Sequence, residues 1–181
     1  MSIRSAVNPK SPQRVLLIFL ASAAAAGALA AGTRCTKVPL LLPPLGASTY
    51  LLFVKPEAPA STPRNMLLGH AIGILCGVAA LAMFGLVPLA PSLAPVLDWP
   101  RVAACSMALG LTCAGMYALG VDHPPAGATT LIVSFGLCPC DISLANYFTG
   151  TTMLVAFAFS VNRLRGFDYP LWSAPKKVQL G

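Results

Sequence analysis

The chain has 181 residues, of which 56% are hydrophobic and only 9% are charged. A soluble domain carries about 25% charged residues, so this chain has too few charges to cover a water-exposed globule. A soluble enzyme, a disordered chain and a nucleic-acid-binding domain are therefore disfavoured, despite the net charge of +7. The basic residues lie mainly at the two ends and in short gaps between apolar stretches, which is typical of a protein embedded in a lipid bilayer.

Four uncharged intervals are long enough to cross a bilayer as helices, which takes about 20 residues. They are Val15 to Gly32, Met66 to Val87, Val102 to Gly120 and Ser143 to Asn162. Two further apolar intervals each contain a Pro-Pro pair, which removes backbone donors and cannot continue a straight helix. The sequence therefore predicts an all-α membrane protein with four transmembrane helices and two Pro-broken, half-helical segments.

The first span resembles a cleavable signal peptide, since Arg4, Lys10 and Arg14 precede an apolar run that ends in Ala28-Leu29-Ala30. We expect it to be retained, because the internal repeat described below needs it as the partner of residues 102–120. The expected organisation is a cytoplasmic segment over 1–14, a transmembrane domain over 15–162 with halves at about 15–87 and 102–162, and a cytoplasmic basic tail over 163–181.

Two topologies satisfy the positive-inside rule. If the broken segments are re-entrant, eight of the 12 basic residues lie on the cytoplasmic side, and if they cross, nine do. Both topologies place the two termini in the cytoplasm. The halves of the chain would be inverted relative to each other with six crossings and parallel with four.

A short motif occurs twice, at matched places in the two halves. Residues 43–49 read Pro-Pro-Leu-Gly-Ala-Ser-Thr, and residues 124–130 read Pro-Pro-Ala-Gly-Ala-Thr-Thr. Proline suits the first turn of a helix, so each pair predicts extended backbone that turns into a helix start. The unit of span, broken element and span is used twice, and paired interruptions of this kind mark the substrate sites of transporters.

The composition of the motif suits an anion. A helix start has free N–H groups that favour negative charge, small residues let a ligand reach them, and hydroxyls add further donors. The expected site consists of the prolines Pro43, Pro44, Pro124 and Pro125, the small residues Gly46, Ala47, Gly127 and Ala128, and the hydroxyls Ser48, Thr49, Thr129 and Thr130. The alternative is a packing motif, in which small residues permit close helix contact and hydroxyls bond to carbonyls of their own helix.

Two histidines lie in the apolar part of the chain. His123 directly precedes the second Pro pair, where its imidazole would donate to an anion or take up a proton with it. The alternative for His123 is an interfacial position that caps the preceding span. His70 lies among Gly69, Gly73 and Gly77, and we expect this glycine face to pack against another helix and His70 to be interfacial, the alternative being that His70 lines the path.

Signs of catalysis or metal binding are weak. The sequence has no nucleotide-binding glycine loop, no HExxH motif and no candidate catalytic triad, and only five acidic residues. Cys138-Pro139-Cys140 has no companion pair at metal-ligand spacing. We therefore predict no enzymatic activity, no metal and no cofactor. The polar residues over 146–152 are expected to be interface anchors or to form interhelical bonds.

The two motifs carry a resemblance to a known family. His123-Pro124-Pro125, continuing into Ala-Gly-Ala-Thr-Thr, with the earlier copy at 43–49, resembles the HPP family of small integral membrane proteins, which is named after that tripeptide. The resemblance covers roughly residues 14–165. It implies four transmembrane helices and a transporter in a bacterial-type inner membrane. Family members in photosynthetic organisms have been linked to nitrite transport.

Together, the residues and the resemblance predict a transporter or channel for a small inorganic anion. Nitrite is the first choice, and nitrate, formate and bicarbonate fit the same donors. Because a chain of this length makes a thin wall around a path, we expect a homo-oligomer; no nucleic-acid partner is expected. The alternatives are a channel for a small neutral solute and a non-transporting membrane scaffold that binds a partner through its small-residue faces.

Overall fold

The computed structural model describes residues 11–87, 98–138 and 142–173, and these ranges are helical with no strand. The helices are α1 (Pro12–Thr36), α2 (Pro43–Val54), α3 (Pro63–Met83), α4 (Trp99–Ala118), α5 (Pro125–Phe135) and α6 (Ile142–Leu164), with a short 3-10 helix at Pro59–Ser61. Most of the predicted segment 1–14 and the end of the tail 163–181 lie outside the described residues. The prediction of an all-helical membrane protein is confirmed.

The helices fall into a long and a short class. Three are long and apolar enough to cross a membrane, namely α1, α3 and the part of α6 from Leu144 to Leu164. Helix α4 covers most of the third predicted span, Val102 to Gly120, but begins with Trp-Pro-Arg and is not among these three. Helices α2 and α5 have 12 and 11 residues. At a rise of about 1.5 Å per residue, neither can cross a core of roughly 30 Å alone.

Proline marks the start of each of the first five helices. The two Pro pairs begin α2 and α5 as predicted, and α1, α3 and α4 also have a proline in their first turn. The side chains of Ser11, Thr62 and Asp98 precede α1, α3 and α4 and accept a hydrogen bond from a backbone N–H of the first turn. These caps satisfy donors that a helix start would otherwise leave free.

The two short helices lie in contact with each other, between the long ones. Helix α2 also packs against α1 and α6, while α5 packs against α3 and α4. Helix α3 contacts α4 and α6 as well, and α1 contacts α6. The two broken segments therefore pack against long helices on one side and meet each other within the bundle.

A row of glycines on α3 brings α5 close. A Cβ atom added at Gly69 would lie 2.8 Å from the Cβ of His123, and one added at Gly77 would lie 2.9 Å from the Cβ of Val133, with Gly73 between them. The residue numbers increase together along the contact, so α3 and α5 run in the same direction. The predicted packing role of this glycine face is confirmed.

The last carbonyls of α2 accept hydrogen bonds from the end of α6. The Asn162 amide nitrogen donates to the Leu52 carbonyl at 3.0 Å, and the Arg165 guanidinium donates to the Phe53 carbonyl at 3.2 Å. Such partners satisfy carbonyls that the end of a helix leaves without an intrahelical hydrogen bond. The C-terminal ends of α2 and α6 therefore lie side by side.

The start of α3 is held at the same end of the bundle. The Arg64 backbone N–H donates to the Trp172 carbonyl at 2.9 Å. Its guanidinium donates to the carbonyls of Leu119 and Gly120, just after α4, at 3.2 and 3.0 Å. The start of α3 therefore lies beside the C-terminal end of α4 and the segment that follows α6.

Replacing Gly73 with alanine is expected to destabilise the protein. The new Cβ would lie 2.7 Å from the Ala126 carbonyl oxygen and 3.0 Å from Thr130 Oγ1, so α3 and α5 would have to move apart. Overpacking of this kind costs about 1–3 kcal/mol. Thermal unfolding of the purified protein in detergent measures the effect.

Gly110→Ala on α4 is the matched control, because no neighbouring atom lies within 4 Å of an added Cβ there. Its Tm should be unchanged or slightly raised, since alanine favours helix more than glycine does. Equal Tm values for the Gly73 and Gly110 variants would contradict the close contact between α3 and α5.

Candidate functional site

Five polar side chains are buried together where α2, α3, α5 and α6 meet. They are Ser48, His70, His123, Thr129 and Tyr147, and each is at most 2% exposed. We call them the polar cluster. A buried polar group without a hydrogen-bond partner costs about 1–3 kcal/mol, so their mutual contacts are needed for folding as well as for any activity.

His70 lies at the centre of the polar cluster. Its Nε2 is 3.0 Å from Ser48 Oγ, and its Nδ1 is 2.7 Å from Thr129 Oγ1 and 3.0 Å from the Tyr147 hydroxyl. Ser48 and Thr129 occupy the same position in the two copies of the motif. Equivalent hydroxyls from the two halves therefore contact the two nitrogens of one imidazole.

His123 contacts His70 directly. Its Nδ1 lies 2.7 Å from the Ala60 carbonyl oxygen, which can only accept, so Nδ1 carries a hydrogen and donates it. In the neutral ring Nε2 is then an acceptor, and it lies 3.0 Å from Ser48 Oγ and 3.2 Å from His70 Nε2. The two rings pack edge to face, with their centroids 4.8 Å apart.

The position of His70 differs from the sequence expectation. It lies seven residues after the start of α3 at Pro63, about two turns or roughly 10 Å along the helix. Its ring is fully buried between helices. The expected interfacial position is therefore wrong, because the short helices on either side turn this part of α3 into the interior of the bundle.

The hydroxyls of the motif divide into two groups. Ser48 and Thr129 join the polar cluster, together with His123. Thr130 is buried beside it, with its Oγ1 2.8 Å from the Thr112 hydroxyl of α4. Thr49 donates its hydroxyl hydrogen to a carbonyl of its own helix at 2.7 Å, as the packing alternative expected.

The small residues and prolines of the motif lie around the cluster rather than within it. Gly46, Ala47 and Ala128 are exposed, and Gly127 is half-buried beside Leu109. Pro44 and Pro125 are buried, whereas Pro43 and Pro124 are exposed. One face of each short helix therefore points towards the cluster and the other away from the bundle.

The backbone donors expected at the two helix starts are already bonded. The N–H groups of Leu45, Ala126 and Gly127 donate to carbonyls three residues earlier, at 2.9, 3.0 and 3.1 Å. The prolines before them have no N–H to offer. The polar cluster is therefore formed by side chains and not by free amides at a helix start.

Sequence reasoning missed two members of the polar cluster, His70 and Tyr147. Tyr147 was grouped with interface anchors and interhelical bonds, and the second interpretation is confirmed, since its hydroxyl lies 2.7 Å from Thr129 Oγ1. A signal for His70 was present in its position directly after Gly69, on the helix face that approaches the broken segment. None of the five side chains carries a permanent charge, so the cluster offers donors and acceptors without a fixed ion.

Comparison with known proteins gives a family but no established activity. The family model of the HPP transmembrane region matches residues 7–170. A transmembrane protein of Dictyostelium discoideum is 34% identical over 92 residues, which are 51% of this chain and 26% of the relative. A second transmembrane protein of that organism is 29% identical over 98 residues, which are 54% of this chain and 31% of the relative.

The chain therefore spans less than a third of the length of these relatives, which are described only as transmembrane proteins. No solved structure is significantly similar to it. The family match extends over nearly the whole described region, including both Pro-Pro motifs and every member of the polar cluster. The chain belongs to the family of HPP transmembrane-region proteins.

Proposed function

We propose that the protein moves a small inorganic anion across a membrane, with nitrite as the first candidate, along a path that passes the polar cluster. The observation that carries the proposal is the burial of five hydrogen-bonding side chains beside two broken helices in a membrane protein. Polar groups inside a membrane are costly and commonly mark substrate pathways. Broken helices of matched halves meet at the substrate sites of transporters.

The chemistry of the polar cluster suits an anion. Its three hydroxyls and two imidazoles belong to the groups that donate hydrogen bonds to anions, and the hydroxyls can rotate away from their present partners to do so. No Asp or Glu belongs to the cluster within the described part of the chain, and Asp122, which precedes His123, is exposed. The net charge of +7 also favours an anionic substrate.

Two other functions use the same features. A small neutral solute would bind the same hydroxyls and imidazoles, and its movement would carry no charge. A non-transporting scaffold would use the outer faces of α2 and α5 and would move no solute at all. Transport is preferred because a scaffold does not explain why polar side chains from four separate segments are buried together. Catalysis is not proposed.

The two halves form a two-fold repeat in this proposal. Gly69 and Gly150 are 81 residues apart, the same spacing that separates the two Pro pairs. Each glycine packs against the segment that precedes the Pro pair of the other half, Gly69 against His123 and Gly150 against Leu40. The repeat relates α1 to α4, α2 to α5 and α3 to α6. The helix contacts agree with it, since α1 contacts α2 and α6, and α4 contacts α5 and α3.

We further propose that the broken segments cross the membrane, which gives six crossings and an inverted repeat. The end of α2 and the start of α3 both lie beside the end of α6 or the segment after it. The start of α1 lies near the end of α6 as well. The pKa of the Arg165 guanidinium is lowered first by burial and then by the nearby charge of Arg14. Residues 37–54 must then return across the membrane.

The length of that segment is sufficient for a crossing. Lys37 ends α1 in a left-handed conformation, and the five residues after it, extended at about 3.3 Å each, together with 12 helical residues at about 1.5 Å each, reach about 35 Å. The hydrocarbon core is roughly 30 Å thick. The extended stretch and the half-helix together are therefore long enough to cross the core, although neither is long enough alone.

Cysteine labelling separates six crossings from four. In a variant with its native cysteines replaced by serine, Lys37→Cys and Lys55→Cys are expected to react with a membrane-impermeant maleimide from opposite sides. A four-crossing chain would expose both from the same side. Arg163→Cys is the reference, expected to react from the same side as Lys55→Cys.

The proposal includes the cellular setting and the assembly. With six crossings, nine of the 12 basic residues face the cytoplasm of a bacterial inner membrane, and both termini lie on that side. A homo-oligomer is proposed because a single chain provides few helices around a path. The exposed small residues Gly46, Ala47 and Ala128 would allow a second copy to approach closely.

Flux measurements test the function. Protein purified into liposomes is expected to admit nitrite faster than empty liposomes do, with nitrate, formate and bicarbonate compared in parallel. His123→Ala and Thr129→Val each remove a donor of the polar cluster and should lower the flux about tenfold, as expected for the loss of one buried hydrogen bond.

Thr152→Val is the matched control for these variants. Thr152 is exposed, and its hydroxyl donates to the Phe148 carbonyl of its own helix at 2.9 Å. Flux equal to that of empty liposomes for all four anions would refute anion transport. Normal flux in both cluster variants would leave transport intact but would place the path elsewhere.

A further inference from the structure

We propose that the imidazole pair of His70 and His123 takes up one proton with each anion, so that the protein is a proton-anion cotransporter. The inference rests on the proposed function and specifies what accompanies the anion. It comes from the arrangement of hydrogens that the contacts of the two rings permit. The proton is the second substrate, and the pair of rings is its binding site.

The contacts fix how many hydrogens the two rings hold. His123 Nδ1 carries one, because it donates to the Ala60 carbonyl. The Nε2 atoms of the two rings face each other at 3.2 Å, so one hydrogen between them makes an N–H···N bond. Ser48 Oγ lies 3.0 Å from both Nε2 atoms, so its hydroxyl can accept from the ring that carries this hydrogen and donate to the other ring.

One ring nitrogen remains free to change its protonation. His70 Nδ1 lies 2.7 Å from Thr129 Oγ1 and 3.0 Å from the Tyr147 hydroxyl. When Nδ1 has no hydrogen, each hydroxyl can donate to it. When Nδ1 carries a hydrogen, each hydroxyl can rotate and accept it. The pair therefore holds one extra proton at His70 Nδ1 with every contact satisfied.

The surroundings of the pair contain few other titratable groups. Tyr147 faces it from α6, with Cys138 near the tyrosine, and Asp122 lies beside His123 in the chain. Helices α2 and α5 contribute the hydroxyls of Ser48 and Thr129. Among the described residues, no Lys or Arg bonds to a member of the polar cluster. The extra proton is thus the one positive charge that the cluster itself can provide.

A bare anion in this site would lack a counter-charge. Burying an uncompensated charge in a protein interior costs several kcal/mol, and breaking an ion pair by removing one partner costs a similar amount. A proton on the pair makes the loaded site neutral overall. An anion and its proton therefore stabilise each other in the cluster, and each should bind weakly without the other.

The proposed step is a simple proton transfer. On one side of the membrane a proton from water forms an N–H bond at His70 Nδ1 as the anion enters the cluster. On the other side this bond breaks, and the proton returns to water as the anion leaves. No electron is transferred, and no further reactant is needed.

Accumulation in liposomes tests the coupling. The membrane potential is held at zero with potassium and valinomycin, the interior is one pH unit more alkaline, and nitrite is equal on both sides at the start. One proton per anion predicts accumulation of about tenfold per pH unit, because each unit is a factor of ten in proton activity. Nitrate is run in parallel, since nitric acid is fully ionised and cannot leak through lipid as a neutral acid. Values from empty liposomes are subtracted.

The outcomes separate the two proposals. Entry of either anion above the empty-liposome level, without accumulation against its own gradient, would overturn the coupling and leave anion transport standing. No entry of any anion would refute the proposed function and the coupling with it. Accumulation of nitrite or nitrate to about tenfold supports both.

Variants assign the proton to the pair. His70→Gln and His123→Gln keep an amide that can hydrogen-bond but does not titrate, and each should reduce the accumulation ratio to about one. Thr152→Val should accumulate as the unmodified protein does. Unchanged accumulation in both glutamine variants would show that the proton is carried elsewhere.

Tyr147→Phe provides a second test that preserves ring packing, in case a glutamine variant does not fold. It removes one of the two hydroxyls that face His70 Nδ1. Proton-driven uptake should become severalfold slower, while the final accumulation ratio stays the same. An unchanged uptake rate would exclude His70 Nδ1 as the atom that takes up the proton.

Discussion

A peptide group inside a membrane must find its hydrogen-bond partner within the protein, and a helix that stops partway across makes this demand most strongly. In this chain the backbone donors at the starts of the broken helices and the backbone acceptors at their ends find different kinds of partner. Proline pairs at the starts remove donors, and the amides after them bond to carbonyls three residues back. At the end of α2 the carbonyls are bonded by Asn162 and Arg165, so α6 must lie beside α2.

The same constraint explains why the polar side chains are brought together. Short helices surrounded by long ones must pack closely, and the glycine row of α3 lets α5 approach until His123 lies against Gly69. A larger residue at Gly69 would displace His123 and lengthen its contact with His70. The glycine face therefore has two consequences, close helix packing and a direct contact between two imidazoles. Gly69 is thus a packing residue whose contact also positions one member of the polar cluster.

The sequence predicted local features such as helix starts and missed contacts between residues far apart in the chain. The Pro pairs predicted both helix starts, and the motif predicted that Ser48, His123 and Thr129 belong to a site. It could not show that His70 and Tyr147, 77 residues apart, share a contact, because periodicity identifies a helix face but not the element it meets. Three amides at the two helix starts are bonded for a local reason. The N–H groups of Leu45, Ala126 and Gly127 each donate to a carbonyl three residues back and do not offer that hydrogen to a ligand.

The difference between the two halves determines how many such sites one chain can hold. With the 81-residue spacing, His123 corresponds to Leu42 and His70 corresponds to Thr151. A second cluster related by the repeat would therefore have no histidine and could not hold a proton. Ser48 and Thr129 correspond to each other and contact opposite nitrogens of the same ring, so the polar cluster lies where the halves meet. In the proposed cotransport, one chain therefore has one protonatable imidazole pair, because the fold repeats and its histidines do not.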